Sequence, residues 1–167
     1  MLGKLLARYL MTYKWWLLGV LVFQFASAMA SLYLPRLNAD IIDQGVTKGD
    51  TAYIWSHGAF MLAVALGQII ASVIATLFAA RAAMSTGRDI RRDVYQKVSG
   101  FSEREVSRFG AGTLITRNTN DVQQVQMLAM MGATMLVTAP LLAIGGIIMA
   151  LQQDLGLSWL IAVAVPV

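Results

Sequence analysis

The sequence contains no cysteine, which excludes both a disulfide framework and a thiolate metal site. It has one histidine, His57. Beside Trp55 it reads as an interfacial side chain, with a protonation switch as the alternative. No G-x-x-x-x-G-K-[ST] phosphate loop occurs anywhere, so this chain has no means of binding or hydrolysing ATP by itself. Charge is also missing over long distances. Residues 15–35, 51–80, 122–153 and 155–167 contain no Asp, Glu, Lys or Arg. A proton-coupled carrier buries ionisable groups within its spans, and apart from His57 near the outer end of 51–80 these stretches offer no acidic or basic side chain. Metal-ligand clusters, nucleophile–base arrangements and paired intramembrane carboxylates are likewise not found.

What is present is apolar. Hydrophobic residues make up 57%, charged residues 13%, and mean hydropathy is +0.64, beyond the range of an ordinary soluble domain. A bilayer core needs about 20 helical residues. The first three uncharged stretches are long enough to span, while 155–167 is long enough only to begin a span. The sequence thus predicts an all-α membrane protein with three full spans and the start of a fourth, and reads as a fragment of a longer protein.

The remaining charge sets the expected topology. Lys4, Arg8 and Lys14 precede the first span; residues 36–50 carry two basic and three acidic side chains; residues 81–121 hold eight of the thirteen basic and five of the nine acidic residues. By the positive-inside rule the N-terminus and 81–121 are expected to be cytoplasmic, with 36–50 and 151–157 outside. The net charge of +4 is therefore read as a topology signal, with no nucleic-acid partner. An N-terminal signal peptide cut after Ala26-Ser27-Ala28 is the competing reading, but the apolar run continues through Leu32-Tyr33-Leu34.

Along the chain, residues 1–14 suit a short amphipathic interfacial helix, with Lys4, Arg8 and Thr12 on one side and Tyr9 and Tyr13 elsewhere. Span one is expected over about 15–44, bent by Pro35, with Gly45 as C-cap and Asp50 as N-cap of the next helix. Span two is expected over about 51–98. It carries small residues at every fourth position, from Ala59, Ala63, Gly67 and Ala71 through Ala75, Ala79, Ala83 and Gly87, a pattern that allows close helix packing. Its charged end predicts Asp89–Arg92 and Asp93–Lys97 pairs. A reversing tip follows over about 99–112, then span three over about 113–153, then the start of span four at 155–167. The island 81–121 is expected to form a tall helical hairpin.

These features resemble the transmembrane domain of ATP-binding cassette exporters. The resemblance rests on the basic interfacial helix, Leu34-Pro35 with Asp43-Gln44-Gly45, and the long arm with Phe101-Ser102-Glu103 and Phe109. Leu114-Ile115-Thr116-Arg117, Thr119-Asn120-Asp121-Val122 and Ala139-Pro140 through Gly145-Gly146-Ile147-Ile148-Met149-Ala150 are similar to the heterodimeric bacterial multidrug-exporter subgroup. The resemblance implies the N-terminal part of a six-helix domain with long cytoplasmic helix extensions and no nucleotide-binding domain of its own. The tip would be a coupling helix resting on a nucleotide-binding domain through Phe101, Ser102, Glu103, Arg104, Glu105, Arg108 and Phe109. Arg117 and Asp121 would brace the arm. ATP and Mg would be cofactors of the missing domain, and the full-length protein an ATP-hydrolysing translocase. The implied partners are the bilayer, a nucleotide-binding domain, a second transmembrane subunit (heterodimeric or homodimeric) and a lipophilic small molecule. The implied location is the bacterial inner membrane.

Polar side chains within apolar helices are the candidate substrate cavity, because lipid-facing amides and hydroxyls find no partners. They are Gln24, Ser27 and Ser31 in span one, Gln68, Ser72 and Thr76 in span two, and Thr134 and Thr138 with Met131 and Met135 in span three. Thioethers suit a promiscuous site. The reading from another class is a small non-catalytic membrane adaptor whose cytoplasmic hairpin docks a soluble partner.

Overall fold

The computed structural model describes residues 2–153; the expected start of span four at 155–167 lies outside them. The described residues are helical, joined by short turns. They comprise α1 (Leu2–Thr12), α2 (Lys14–Asp40), α3 (Thr51–Ser99), α4 (Glu103–Phe109), α5 (Ala111–Thr116) and α6 (Val122–Gln153), with π-helical segments at Ile41–Val46 and Arg117–Asp121. Three continuous stretches are long and apolar enough to cross a membrane: Lys14–Val46, Thr51–Ser99 and Gly112–Met149. This is the all-α, multi-pass architecture that the uncharged stretches predict.

Two compact units divide the helices. The first takes the residues up to Leu21 together with Ala75–Met135. Its core is built from small side chains: Ala75, Ala79, Ala82 and Ala83 are buried, with Val20, Val122 and Ala129. Alanine at these positions lets helix backbones approach closely. Gly19 serves the same purpose, because a Cβ there would sit 3.0 Å from the Phe78 ring. Phe78 also packs at 5.4 Å against Trp16, whose face carries the Arg81 guanidinium at 5.4 Å, a cation–π contact.

The second unit takes Val22–Ile74 with the described residues from Leu136 onward. Ala28, Leu37 and Ala71 are buried here. The α2 helix passes through Pro35 without ending, and the chain widens at Ile41–Val46 into a π-helical segment. The amide of Thr47 donates to Ile42 O at 3.0 Å and that of Asp50 to Gly45 O at 2.9 Å, both across five residues. Gly45 is therefore not a helix cap. It is buried inside the wide turn, where a Cβ would lie 2.6 Å from Ile54 Cγ1. The reversal falls instead at Gly49, whose φ of +67° suits a residue without a Cβ. Asp50 caps α3, accepting from the Tyr53 amide at 3.0 Å.

Candidate functional site

The most strongly built feature of the first unit is the tip between α3 and α6. Ser102 opens α4 with a capping box. The Glu105 carboxylate accepts both the amide and the hydroxyl of Ser102 at 2.8 Å, the reach-back half of a capping box, which satisfies a free backbone donor at the helix start. These bonds hold the Glu105 carboxyl below its ordinary ionisation range, the Ser102 amide contributing most. At the other end Gly110, with φ +77°, turns the chain directly into α5 and accepts the Leu114 amide at 3.2 Å. Phe101 and Phe109 close the tip by stacking, ring centroids 5.7 Å apart. Ser102, Glu103, Arg104, Glu105, Ser107 and Phe109 are exposed, while Phe101 and Val106 are half-buried. The side chain of Arg108 lies outside the described residues.

Beneath this tip is a cavity of about 320 Å³, walled by Val94 and Val98 of α3, by Phe101 and Phe109, and by Leu114 of α5. Lys97 and Arg117 are exposed and also line it. Arg117 and Asp121 bound the second π-helical segment, both exposed, and no ion pair joins them among the described residues.

A second group was not foreseen from the sequence. Tyr13 donates its hydroxyl to Asp89 Oδ2 at 2.5 Å, and Tyr9 donates to Asp93 Oδ2 at 2.6 Å. Arg88 Nη2 donates to the Tyr13 hydroxyl oxygen at 3.1 Å and sits 3.3 Å from Asp89. The accepting carboxylates hold the protons on both phenols, pushing their ionisation above the ordinary range. Asp89 keeps the expected neighbour Arg92 at 3.6 Å. The expected Asp93–Lys97 pair does not form; Asp93 is engaged by Tyr9 instead, with Arg92 at 3.9 Å. Two tyrosines four apart on or just after α1 match two aspartates four apart on α3, and that matching period is the signal that could have found them.

The candidate cavity residues fall in both units. In the second, Gln24 Nε2 donates to Thr138 Oγ1, which brings together two of the ten. Ser27 is buried, and Ser31, Gln68 and Ser72 are half-buried. In the first, Thr134 Oγ1 bonds the carbonyls of Met130 and Met131 at 3.1 and 3.2 Å, so its hydroxyl turns back onto its own helix. Thr76, Met131 and Met135 are exposed. The first unit also has a cavity of about 340 Å³ lined by Met84, Met127 and Met130 together with Arg91, Gln123 and Gln126. Arg91 Nη2 donates to Gln126 Oε1 at 3.1 Å, and Gly87 makes room for that amide. Neither Arg91 nor Gln126 was singled out from the sequence.

Comparison with known proteins gives a consistent pattern. Residues 17–167 match the profile of the ABC transporter transmembrane region. An uncharacterized ABC transporter ATP-binding protein of Mycobacterium tuberculosis is 46% identical over 167 residues, 100% of this chain and 29% of the relative. One of the same description in Bacillus subtilis is 31% identical over 147 residues, 88% of this chain and 26% of the relative. A putative export ATP-binding/permease protein of Rickettsia bellii is 22% identical over 161 residues, 96% of this chain and 28% of its own length. The chain thus spans under a third of the length of the curated relatives it matches.

Proposed function

This chain belongs to the ABC transporter transmembrane region family, and from that premise we propose that it forms part of the substrate pathway of an ATP-driven exporter. In this reading α4 is the element that receives the closure of a nucleotide-binding domain. The observation that carries it is the construction of the tip. Its backbone is fixed at both ends by the capping box and the Phe101–Phe109 stack, yet its outward side chains are bare. A rigid, exposed knob transmits a push, whereas a floppy one absorbs it. Long α3 and α6 would carry that push toward the apolar residues, with Arg117 and Asp121 bracing the arm, and alternate the access of a cavity between the spans.

ATP and Mg²⁺ would be held outside this segment. It has no phosphate-loop sequence. The names of the relatives, ATP-binding protein and export ATP-binding/permease protein, support a nucleotide-binding domain as partner and export as the direction. A second transmembrane subunit, in a heterodimer or homodimer, would complete the pathway. The neutral Gln24, Ser27, Ser31, Gln68, Ser72, Thr76, Thr134 and Thr138, with Met131 and Met135, suit lipophilic, multidrug-type substrates. The excess of Lys and Arg at the N-terminus and over 81–121 would place both on the cytoplasmic side of the inner membrane.

The test is crosslinking in the intact transporter. A cysteine introduced as Ser107→Cys should couple to a cysteine on the nucleotide-binding domain, with a yield that changes between nucleotide-free and ATP-bound states. If it remains uncrosslinked in every nucleotide state, the coupling reading is wrong.

A further inference from the structure

The cavity under the tip has features that packing between two helices does not require. Its walls at Val94, Val98, Phe101, Phe109 and Leu114 are apolar, yet two cations, Lys97 and Arg117, line it as well. Neither cation has an ion-pair partner among the described residues. Asp93, the acid that also borders the cavity, is already engaged by the Tyr9 hydroxyl at 2.6 Å and lies 3.9 Å from Arg92. The volume of about 320 Å³ sits at the small end of the range for small-molecule sites, roughly 300–1,000 Å³.

We propose that this cavity is a binding site for a small amphipathic anion, a short acyl or aryl body carrying one carboxylate-type head. The apolar body would cover the Phe101 and Phe109 rings and the α3 valines, gaining the transfer free energy of its buried surface. The head would lie between Lys97 and Arg117, where a carboxylate can take a bidentate contact from the guanidinium. Position argues for a ligand arriving from water. Val94 lies 14 residues beyond Ala80, where the uncharged stretch ends, about 21 Å along a helix at about 1.5 Å per residue. A bilayer headgroup does not reach that far, whereas a free amphiphile does.

The experiment uses the purified protein in zwitterionic nanodiscs with a diazirine-bearing octanoate, and the matching diazirine octanol as its neutral control. Adducts located by mass spectrometry should fall on the peptides carrying Val94, Val98 and Leu114, saturably, with the carboxylate labelling about tenfold more than the alcohol. Lys97→Gln combined with Arg117→Gln should erase that difference, and Val98→Trp should block both probes by filling the cavity. Equal labelling by the two probes, adducts confined to the uncharged spans, or labelling unchanged by Val98→Trp would overturn the proposal. Loss of labelling by the neutral octanol in nanodiscs rich in phosphatidylglycerol, where no charge repels the probe, would assign the site to bilayer lipid and overturn the water-borne ligand. Because the two probes are compared on the unaltered protein, a variant that fails to fold leaves the outcome readable.

Discussion

Tyr13 donates its hydroxyl to Asp89 at 2.5 Å across 76 residues of sequence, tying the residue after α1 to a buried carboxylate on α3. Arg88 adds a hydrogen bond to the same phenol, so the three groups form one small network. Removing the hydroxyl leaves the Asp89 carboxylate short of a donor while it stays buried, and that asymmetry sets the penalty.

Tyr13→Phe is therefore expected to lower stability by roughly 1–3 kcal/mol, read as a lower thermal midpoint in detergent. Asp89→Asn should cost a similar amount. The double variant should cost clearly less than the sum, because the two residues share one bond. Additive losses would mean that the phenol and the carboxylate act independently. Tyr9→Phe, facing the more exposed Asp93, should cost less than Tyr13→Phe.

The capping box makes a prediction about pH. Glu105 has its carboxyl pulled below the reference value of 4.5 by the amide and hydroxyl of Ser102. A depressed carboxyl contributes stability above its unfolded value and loses it as pH falls through the folded one. The start of α4 should stay protected at neutral pH and begin to fray only below about pH 4.5. Carbon-detected NMR of the Glu105 carboxyl should show titration below that value, and Ser102→Ala, which removes the hydroxyl but keeps the amide, should return it only partway upward. A midpoint unchanged by Ser102→Ala would remove the Ser102 hydroxyl as a cause and leave the amide alone.

Gly45 offers a packing test in the wide turn after α2. A methyl at this position would lie 2.6 Å from Ile54 Cγ1, an atom near the backbone that cannot swing aside as a chain end can. Gly45→Ala should cost about 1–3 kcal/mol through overpacking, and Ile54→Ala in the same protein should recover much of it. Thermal unfolding of the single and double variants decides the matter. Failure of the rescue would trace the cost to the π-helical backbone and not to Ile54.

How much of this was legible in the sequence depends on the reach of each interaction. The three long helices could be read because uncharged stretches such as 51–80 admit few other structures, and Asp50 could be read because a cap acts within three residues. The π-helical turn at Gly45 could not, since a five-residue bond spacing leaves no mark in hydrophobic period. Local rules also favoured Asp93–Lys97 over Asp93–Tyr9. The tyrosine won through proximity that only the packed helices create, and the Gln24–Thr138 and Arg91–Gln126 contacts were hidden for the same reason.

The row of small residues on α3 divides in a way that yields the sharpest packing prediction. Ala75, Ala79 and Ala83 are buried to between 0 and 2% exposure, whereas Ala59, Ala63 and Gly67 on the same helix are exposed, and nothing lies within 4 Å of where a Gly67 Cβ would be. Ala79→Leu forces three extra carbons into a filled contact and should cost about 1–3 kcal/mol, read as a lower thermal midpoint. Ala63→Leu meets no such wall among the described residues and should stay within about 0.5 kcal/mol of the parent. If Ala63→Leu proves as damaging as Ala79→Leu, the outer half of the row packs against a surface outside the described residues. The every-fourth-residue pattern would then mark two separate contacts along one helix, consistent with a row that drifts about 40° around the axis at each step.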